Sequence, residues 1–254
     1  MTWLVPDAAV SILTPVHRPV AGYLSALHGS LEAQTAVEWE WVMQVDGEAS
    51  VLAQVPDAIR ADPRVSIEAN GRWLGQAVTR NLALVRTRHR LLQTVDADDL
   101  LEPGALAAGA EAMADNPDVA AVFGRTRNLL PSGDLVEGKN LYRPGRIEPG
   151  VLADDWERRD GSCSIVVPSV MWRTAAVDAE GGWTASAAGE DVLLLLAVTM
   201  RHPVMCLETY TYRYRQHADQ THRGDLRQQM RPHYRALARR MLRARQMTVS
   251  PPVS

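Results

Sequence analysis

The sequence has little lysine, little cysteine and no long apolar run, and the last two shortages exclude kinds of site or protein. Lys139 is the single lysine, although lysine and arginine together number 27. The two cysteines, Cys163 and Cys206, form no CxxC pair, so we expect neither a zinc site nor a disulfide framework. The most apolar stretch, "DVLLLLAVTM", is about half as long as a membrane span needs.

The overall composition is typical of a soluble globular protein. Hydrophobic residues make up 46% of the 254 residues and charged residues 22%, which is enough apolar material for a sizeable core. The formal net charge of -3 gives no argument for a nucleic acid or a membrane surface as partner. The start, "MTWLVPDAAV", lacks the basic and apolar regions of a signal peptide. We therefore expect a cytoplasmic protein that binds no nucleic acid.

The first half of the chain alternates short apolar runs with helical patterns. Strands are predicted at residues 9–15, 39–45, 64–69, 89–96 and 118–126. Helical spacing is predicted at residues 22–34, 50–60, 74–87 and 102–114. Repeated strand–helix units of this length predict an α/β fold with a mostly parallel central sheet flanked by helices. The strands are continuous apolar runs, which is typical of a sheet covered on both faces.

The second half is less regular and predicts a mixed arrangement. It contains a Gly- and Pro-rich loop or hairpin at 128–150, strands at 162–168 and 203–217, and a helix at 189–202. We predict one domain over residues 1–224, with a nucleotide-binding half at about 9–125 and a mixed second half at about 126–224. Residues 225–254 are predicted to form a C-terminal amphipathic helix and tail.

The C-terminal helix allows two interpretations. Its arginines recur every four residues, at Arg227, Arg231, Arg235, Arg239 and Arg243. Beside them runs an apolar stripe of Leu226, Met230, Tyr234, Leu237 and Met241. Such a helix can lie on anionic lipid, which would place the protein at the inner face of a membrane. It can equally dock on its own domain by the apolar stripe and leave the basic face in water.

Carboxylates follow several of the predicted strands. In "HRLLQTVDADDLLEPGAL", a buried run ends in three acids that repel one another and lose hydration if the site is closed. The residues at the carboxyl ends of the strands are Thr14, Pro15, Asp46, Asp96, Asp98 and Asp99. These ends share one edge of a parallel sheet, where ligands bind. The cluster suits a divalent cation that carries phosphate oxygens. The alternative is a solvated turn that caps the next helix.

Six stretches, in order, give the sequence a resemblance to a known family. They are "VSILTPVHRP", "WEWVMQVDGEAS", "NGRWLGQAVTRNLAL", "QTVDADDLLEPGAL", "GGWTASAAGEDVLLLL" and "YRYRQH". Over roughly residues 9 to 220 the chain resembles a family 2 glycosyltransferase of the GT-A fold, and "DAD" resembles that family's DXD motif. The resemblance implies an inverting enzyme of the hexosyltransferase type (EC 2.4). Its donor is a nucleoside-diphosphate sugar, with a uridine diphosphate sugar favoured, and its acceptor a sugar or small molecule.

The resemblance also implies a role for individual residues. The nucleotide is expected to contact Thr14, Pro15, Asp46, Arg80 and Asp96. Mn²⁺ or Mg²⁺ is expected to bind Asp98, with His217 as a further ligand. The second half, at about 126–224, is expected to be the acceptor half, with Asp191 as the general base and with Trp183 and Glu190 in contact with the acceptor. A homodimer is one oligomeric state that we consider.

Each of these roles has a structural alternative. Asp191 can stabilise the start of a helix instead of acting as a base. His217 can be a structural or exposed histidine. Trp172 and Trp183 can pack in the core rather than stack on a sugar, and Asp99 can cap the following helix.

Two other functions are compatible with parts of the sequence. A non-catalytic nucleotide-sugar-binding protein would share the fold. A DxD-type phosphatase is less favoured, because its motif belongs on the first strand and needs a basic residue near the phosphate. The sequence contains neither GxGxxG nor a phosphate-binding "GK[ST]" loop.

Overall fold

The computed structural model describes residues 9–17, 21–186, 188–217 and 225–249. The strands are β1 (Val10–Val16), β2 (Trp39–Val45), β3 (Val65–Ala69), β4 (Leu91–Thr94), β5 (Leu100–Leu101), β6 (Ala121–Leu129), β7 (Leu135–Glu137), β8 (Gly145–Ile147), β9 (Met171–Arg173) and β10 (Val204–Arg215). The α-helices are α1 (Ala21–Glu32), α2 (Asp57–Arg60), α3 (Gln76–Leu84), α4 (Ala105–Asp115), α5 (Val151–Arg158), α6 (Thr174–Ala179), α7 (Glu190–Thr199) and α8 (Asp225–Val249).

All ten strands join one mixed sheet. Eight of them follow the order β3-β2-β1-β4-β9-β6-β10-β5, while β7 pairs with β6 and β8 pairs with β10. Strands β3, β2, β1 and β4 are parallel to one another, and β6 is parallel to β10. Strand β9 lies antiparallel between β4 and β6 and so joins the two halves of the chain. Every residue of β1 and β2 is buried, because helices cover both faces of this part of the sheet. The predicted α/β fold with a parallel first half and a mixed second half is confirmed.

Two predicted elements differ from the structure. Residues 162–168, which were expected to form a strand, lie outside the sheet, and the strand is β9 three residues later. Pro168 donates no backbone hydrogen bond, and it lies in a short 3₁₀ turn at Val167–Ser169 that precedes β9. The helix expected at 50–60 is divided into a 3₁₀ segment, Ala49–Gln54, and the single-turn helix α2.

Helix α7 lies at the centre of the second half. Nine of its ten residues are buried, and Asp191 is the one that is partly exposed. A helix that is apolar on nearly all sides needs partners all round, and α7 packs against α3, α5, α6 and α8. Within the described part of the chain no helix is long and apolar enough to cross a membrane.

Helix α8 docks on the domain. Its buried contacts with the core come from Tyr234, Ala238 and Leu242, while Leu237 of the predicted stripe is 41% exposed. Two of the predicted arginines face the acids of the α5 end, because Arg235 and Arg239 both pair with Asp160. The side chains of Leu226 and Arg227 lie outside the described residues. Docking thus accounts for part of the basic face, and lipid contact stays a prediction.

Candidate functional site

Three strands bring the predicted site residues to one edge of the sheet. In the register of the sheet, Val16 of β1 lies opposite Val45 of β2, and Leu13 lies opposite Thr94 of β4. Asp46 and Asp96 follow β2 and β4 within two residues, so both lie at the shared carboxyl edge. Ligands of open parallel sheets bind at this edge.

A buried arginine separates the acids of this edge. Arg80 of α3 donates from Nη2 to Asp96 Oδ1 at 3.0 Å and from Nη1 to Glu190 Oε1 at 2.5 Å. Burial alone would lower the pKa of Arg80, but the charges of Asp96, Glu190 and Asp191 raise it above its usual range. The Arg80 side chain is 4% exposed and that of Glu190 is 3%, so this ion pair is almost fully desolvated. The repulsion expected among the acids is offset by this cation.

Asp96 is partly exposed, and its carboxylate pairs with the buried Arg80. Burial raises the pKa of Asp96 to about 6, with Asp98 and Asp191 acting in the same direction and Arg80 opposing them. Its backbone N–H donates to the hydroxyl of Tyr212 at 3.2 Å. Arg80 therefore holds the carboxyl group and Tyr212 holds the backbone, while the side chain remains partly exposed at the edge.

Asp98 and His217 lie in direct contact. His217 Nε2 is 2.7 Å from Asp98 Oδ2, and the two side chains are 18% and 32% exposed. The backbone carbonyl of Asp98 accepts a hydrogen bond from Arg215 Nε at 2.6 Å. The His217 ring also lies 5.5 Å from the ring of Tyr23 on α1. A residue far along the chain is therefore placed beside the acid motif, and metal binding by this pair stays a prediction.

Asp99 is buried, and its carboxylate bonds to two residues of β10. It is 1% exposed and accepts hydrogen bonds from the Tyr212 hydroxyl at 2.9 Å and from the Arg215 backbone N–H at 2.7 Å. Burial raises the pKa of Asp99 well above its usual range, while these two bonds oppose the shift. The alternative that Asp99 caps a helix is wrong, because α4 begins at Ala105 with Gly104 at its N-cap.

Asp46 organises the loop that leads into α3. Its Oδ1 accepts from the Leu74 N–H at 2.6 Å and from Asn70 Nδ2 at 3.0 Å, and its Oδ2 accepts from the Gly75 N–H at 3.0 Å. A carboxylate at the start of a helix is stabilised by the helix dipole. Asp46 is 4% exposed, so its carboxylate serves chiefly to hold this loop.

Asp191 and Glu190 begin α7 and face different surroundings. Glu190 is buried in its ion pair with Arg80, whereas Asp191 is partly exposed. The negative charge of Asp191 contributes to raising the pKa of Asp96 and the pKa of Cys163. Its Oδ1 accepts a hydrogen bond from the Val192 N–H at 2.8 Å. The N-cap residue is Gly189, which has no side chain to cap the helix.

Besides Asp46 and Arg80, which are 4% and 3% exposed, four predicted ligand-binding residues are buried rather than open to the site. Glu190 has its carboxylate taken by Arg80, and Trp183 is 3% exposed in the core cluster of α7. Thr14 is fully buried, and its hydroxyl accepts from Trp41 Nε1 at 2.9 Å. Pro15 continues β1, opposite Gln44. None of these side chains offers an exposed polar group or ring face, so their predicted contacts with ligands gain no support from their positions.

The side chains present fit a divalent cation only together with a diphosphate. Among the described residues no three His, Cys, Asp or Glu side chains converge to hold a metal. Asp98 and His217 do offer a carboxylate oxygen and a ring nitrogen side by side, and both are partly exposed. Magnesium and manganese commonly take one or two protein carboxylates and complete their shell with phosphate oxygens and water. The donor set is compatible with that pattern.

Two residues of β10 support the acid motif and were missing from the predicted site. Tyr212 links Asp99 to the backbone of Asp96, and Arg215 holds the backbone of Asp98. The sequence signal that could have indicated them is the alternation of tyrosines and arginines in "YRYR", residues 212–215, shortly before His217. Alternation alone does not show which element such a strand will meet.

The comparison with protein-family models identifies the family. The model for glycosyl transferase family 2 matches residues 11–173, which is well over half of the chain. The chain belongs to glycosyltransferase family 2. The matched range includes Asp46, Arg80, Asp96 and Asp98, whereas Asp191 and His217 lie beyond it.

Two curated proteins share part of this family 2 chain. The succinoglycan biosynthesis protein ExoO of Rhizobium meliloti (strain 1021) is 31% identical over 156 residues, which are 58% of this chain and 44% of that protein. The uncharacterised protein y4gI of Sinorhizobium fredii (strain NBRC 101917 / NGR234) is 29% identical over 131 residues, which are 49% of this chain and 14% of that protein. The chain therefore spans less than half the length of either relative.

Solved structures with the same fold include TarS of S. aureus. Its 1-349 fragment in complex with UDP has a TM-score of 0.70 and 16% identity, over 97% of this chain and 67% of that one. The complex with UDP-GlcNAc has a TM-score of 0.68 and 17% identity, over 84% of this chain and 60% of that one. At this identity the likeness concerns the fold, and the predicted GT-A fold of this family 2 chain is confirmed.

Proposed function

We propose that this chain transfers a sugar from a nucleoside-diphosphate sugar to an acceptor hydroxyl, with inversion at the anomeric carbon and with help from a divalent cation. The favoured donor is a uridine diphosphate sugar, because the TarS structures with the same fold hold UDP and UDP-GlcNAc. The observation that carries the proposal is the partly exposed Asp191 beside the Arg80-centred acid cluster, in a chain of glycosyltransferase family 2.

The donor side of the proposed site is the edge formed by β1, β2 and β4. Asp98 and His217 would hold Mn²⁺ or Mg²⁺, which when bound neutralises charge on the leaving diphosphate. Asp96 would accept hydrogen bonds from the ribose, because its carboxyl group is fixed by Arg80 and still partly exposed. Asp46 would act on the base side by holding the loop of residues 70–75, and Arg80 would supply fixed positive charge beneath the nucleotide.

On the acceptor side, the two acids at the start of α7, Glu190 and Asp191, would have different roles. Glu190 is held in the buried ion pair with Arg80 and positions the helix, so Asp191 is the carboxylate near the surface. As the acceptor hydroxyl attacks the anomeric carbon, Asp191 takes its proton. The hydroxyl oxygen forms the new bond while the diphosphate leaves with the electron pair of the old one. A single displacement from the opposite face inverts the anomeric centre.

A turnover assay with Asp191→Asn tests the proposal. Wild-type chain with UDP-sugars and a panel of sugar acceptors should release UDP, and Asp191→Asn should lower kcat about 10²- to 10⁴-fold, the range for a lost general base. Because the substitution keeps the shape of the side chain, the dissociation constant for UDP should stay within about twofold. Asp115→Asn, at the exposed end of α4, is the matched control and should retain full turnover.

Other outcomes of this assay separate the alternatives. Turnover by Asp191→Asn within tenfold of wild type would remove Asp191 as the base. UDP binding by the wild-type chain, without transfer from any donor to any acceptor in the panel, would favour a non-catalytic binding protein. Release of phosphate from p-nitrophenyl phosphate would favour the phosphatase.

A further inference from the structure

The loop between β3 and α3, residues 70–75, is exposed in part but firmly held. Asn70 accepts from Gln44 Nε2 at 2.9 Å, and its own Nδ2 donates to Asp46 and to Thr79. The backbone N–H groups of residues 74 and 75 donate to the same Asp46 carboxylate. A backbone bridge between Gly47 and Arg72 ties the loop to the end of β2. The loop therefore has a fixed conformation that does not depend on burying the side chain at its centre.

That central side chain is Trp73, which is 64% exposed. The other tryptophans that the structure describes are at most 6% exposed, and each of them packs in the core. Tryptophan is a residue that proteins mostly bury. A large aromatic ring that a rigid loop holds out into water adds little to the folded core, and it is already placed to meet a ligand without further ordering.

The ring of Trp73 lies beside the ring of His17, the residue that follows β1. The Trp73 and His17 centroids are 6.3 Å apart, and the ring planes are tilted by 55°. Because of this tilt the two rings do not stack on each other. His17 immediately follows β1 and is itself exposed, so the pair forms an aromatic corner at the carboxyl edge of the sheet.

The aromatic corner lies on the same edge as the acid cluster. The loop that carries Trp73 is fixed by Asp46 and continues directly into α3, and Arg80 lies on that helix about 6 Å of helical rise beyond its start. Arg80 in turn contacts Asp96. The edge thus offers aromatic surface at the β1–β2 end and charged groups at the β4 end. A nucleoside diphosphate has the same polarity, since a flat apolar base stands at one end and the phosphates at the other.

We propose that Trp73 is the stacking platform for the nucleobase of the donor, with His17 bordering the same face. The proposal rests on the proposed function, because it assigns one end of that donor site. Stacking of a base on an aromatic side chain is insensitive to which base is present. Trp73 would therefore supply affinity for a base without selecting which base is bound.

Binding of UDP in the presence of Mn²⁺ tests the platform. Each variant carries Trp3→Phe as background, because Trp3 lies outside the described residues. The five other tryptophans are at most 6% exposed and so are shielded from iodide, which leaves Trp73 as the fluorophore that the quencher reaches. Trp73→Ala should weaken UDP binding about 5- to 150-fold, the fold-change that corresponds to a lost base–aromatic stack. Trp73→Phe should restore most of the affinity, since it keeps a ring. Val85→Ala, which removes an 81% exposed apolar side chain at the other end of α3, should bind UDP as the background protein does.

Ribose 5-diphosphate, which lacks a base, is the decisive second ligand. Trp73→Ala should bind it as the background protein does, and UDP should protect the Trp73 fluorescence from quenching by iodide. The proposal is overturned if the background protein binds UDP and Trp73→Ala binds it equally well. It is also overturned if the substitution weakens both ligands alike, or if it changes only the acceptor KM. In these cases the proposed function stands, whereas failure of the background protein to bind UDP, TDP or GDP removes both.

Discussion

Replacement of Arg80 by methionine should destabilise this protein more than removal of any exposed charge. Methionine keeps an unbranched apolar stem but removes the guanidinium that donates to Asp96 and Glu190. The Glu190 carboxylate, 3% exposed, would then be a buried charge without its partner. Loss of one partner from a buried ion pair costs about 3–5 kcal/mol of unfolding free energy. For a chain of this length that loss lowers the melting temperature by roughly 6–20 °C.

Urea unfolding at pH 7 measures this loss, and a second substitution shows its origin. In the Arg80→Met background, Glu190→Gln removes the unpaired charge. The double variant should therefore recover about 0.5–3 kcal/mol, the coupling expected for residues in one network. The control is Arg60→Met, since Arg60 pairs with Asp57 on the surface and such exposed pairs contribute about 0–1 kcal/mol. A loss below about 1 kcal/mol for Arg80→Met, or no recovery by Glu190→Gln, would refute the reasoning.

Two further predictions concern the start of α7 and its surroundings. Gly189→Ala should cost about 1–3 kcal/mol of unfolding free energy, because its φ is +70° and a Cβ would lie 2.6 Å from the Tyr234 ring. The control is Gly150→Ala, which has φ +86° but open space around it and should cost less in the same urea experiment. Equal losses would contradict the contact between the α7 start and α8. Burial raises the pKa of Cys163 to about 12, with the Asp191 charge contributing, so at pH 8 iodoacetamide should alkylate this thiol some two to three orders of magnitude more slowly than an unperturbed thiol. The rate, followed by mass spectrometry of the Cys163 peptide, should rise with pH beyond 9 and be higher in Asp191→Asn; an unchanged rate in that variant would place the Asp191 charge elsewhere.

The convergence of acids at one sheet edge was predictable from sequence because it follows from strand order alone. Once β1, β2 and β4 are read as parallel neighbours, the residues that follow them must share an edge, and Asp46 and Asp96 do. From the sequence we expected a divalent cation, or a solvated turn, at the acids, and we did not predict that Arg80 would pair with two of them. The identity of the second acid on Arg80 was not readable, because Glu190 lies 110 residues further along the chain.

The acceptor-side residues were harder to predict because their orientation depends on packing. "GGW" and "GED" give local spacing, but spacing does not show which of two adjacent acids turns inward. Glu190 points to Arg80, and Trp183 packs under α7 in the core. Similarly, "SCSIVVP" has strand propensity, yet the sheet takes up Met171–Arg173 instead. Tertiary contacts decided these cases, and a local pattern carries no information about them.

Thermal unfolding of the whole chain with UDP, in the presence and absence of Mn²⁺, tests the central claim most directly. A ligand at a hundred times its dissociation constant adds about 2.7 kcal/mol of unfolding free energy, which for this length is a shift of roughly 5–11 °C. We expect a shift of this order with UDP and Mn²⁺ together, a smaller one with UDP alone, and in Asp98→Ala a shift that is no larger with Mn²⁺ than without it. If neither UDP, TDP nor GDP shifts the midpoint of the wild-type chain with the metal present, the edge formed by Arg80, Asp96 and Asp98 does not bind a nucleotide donor.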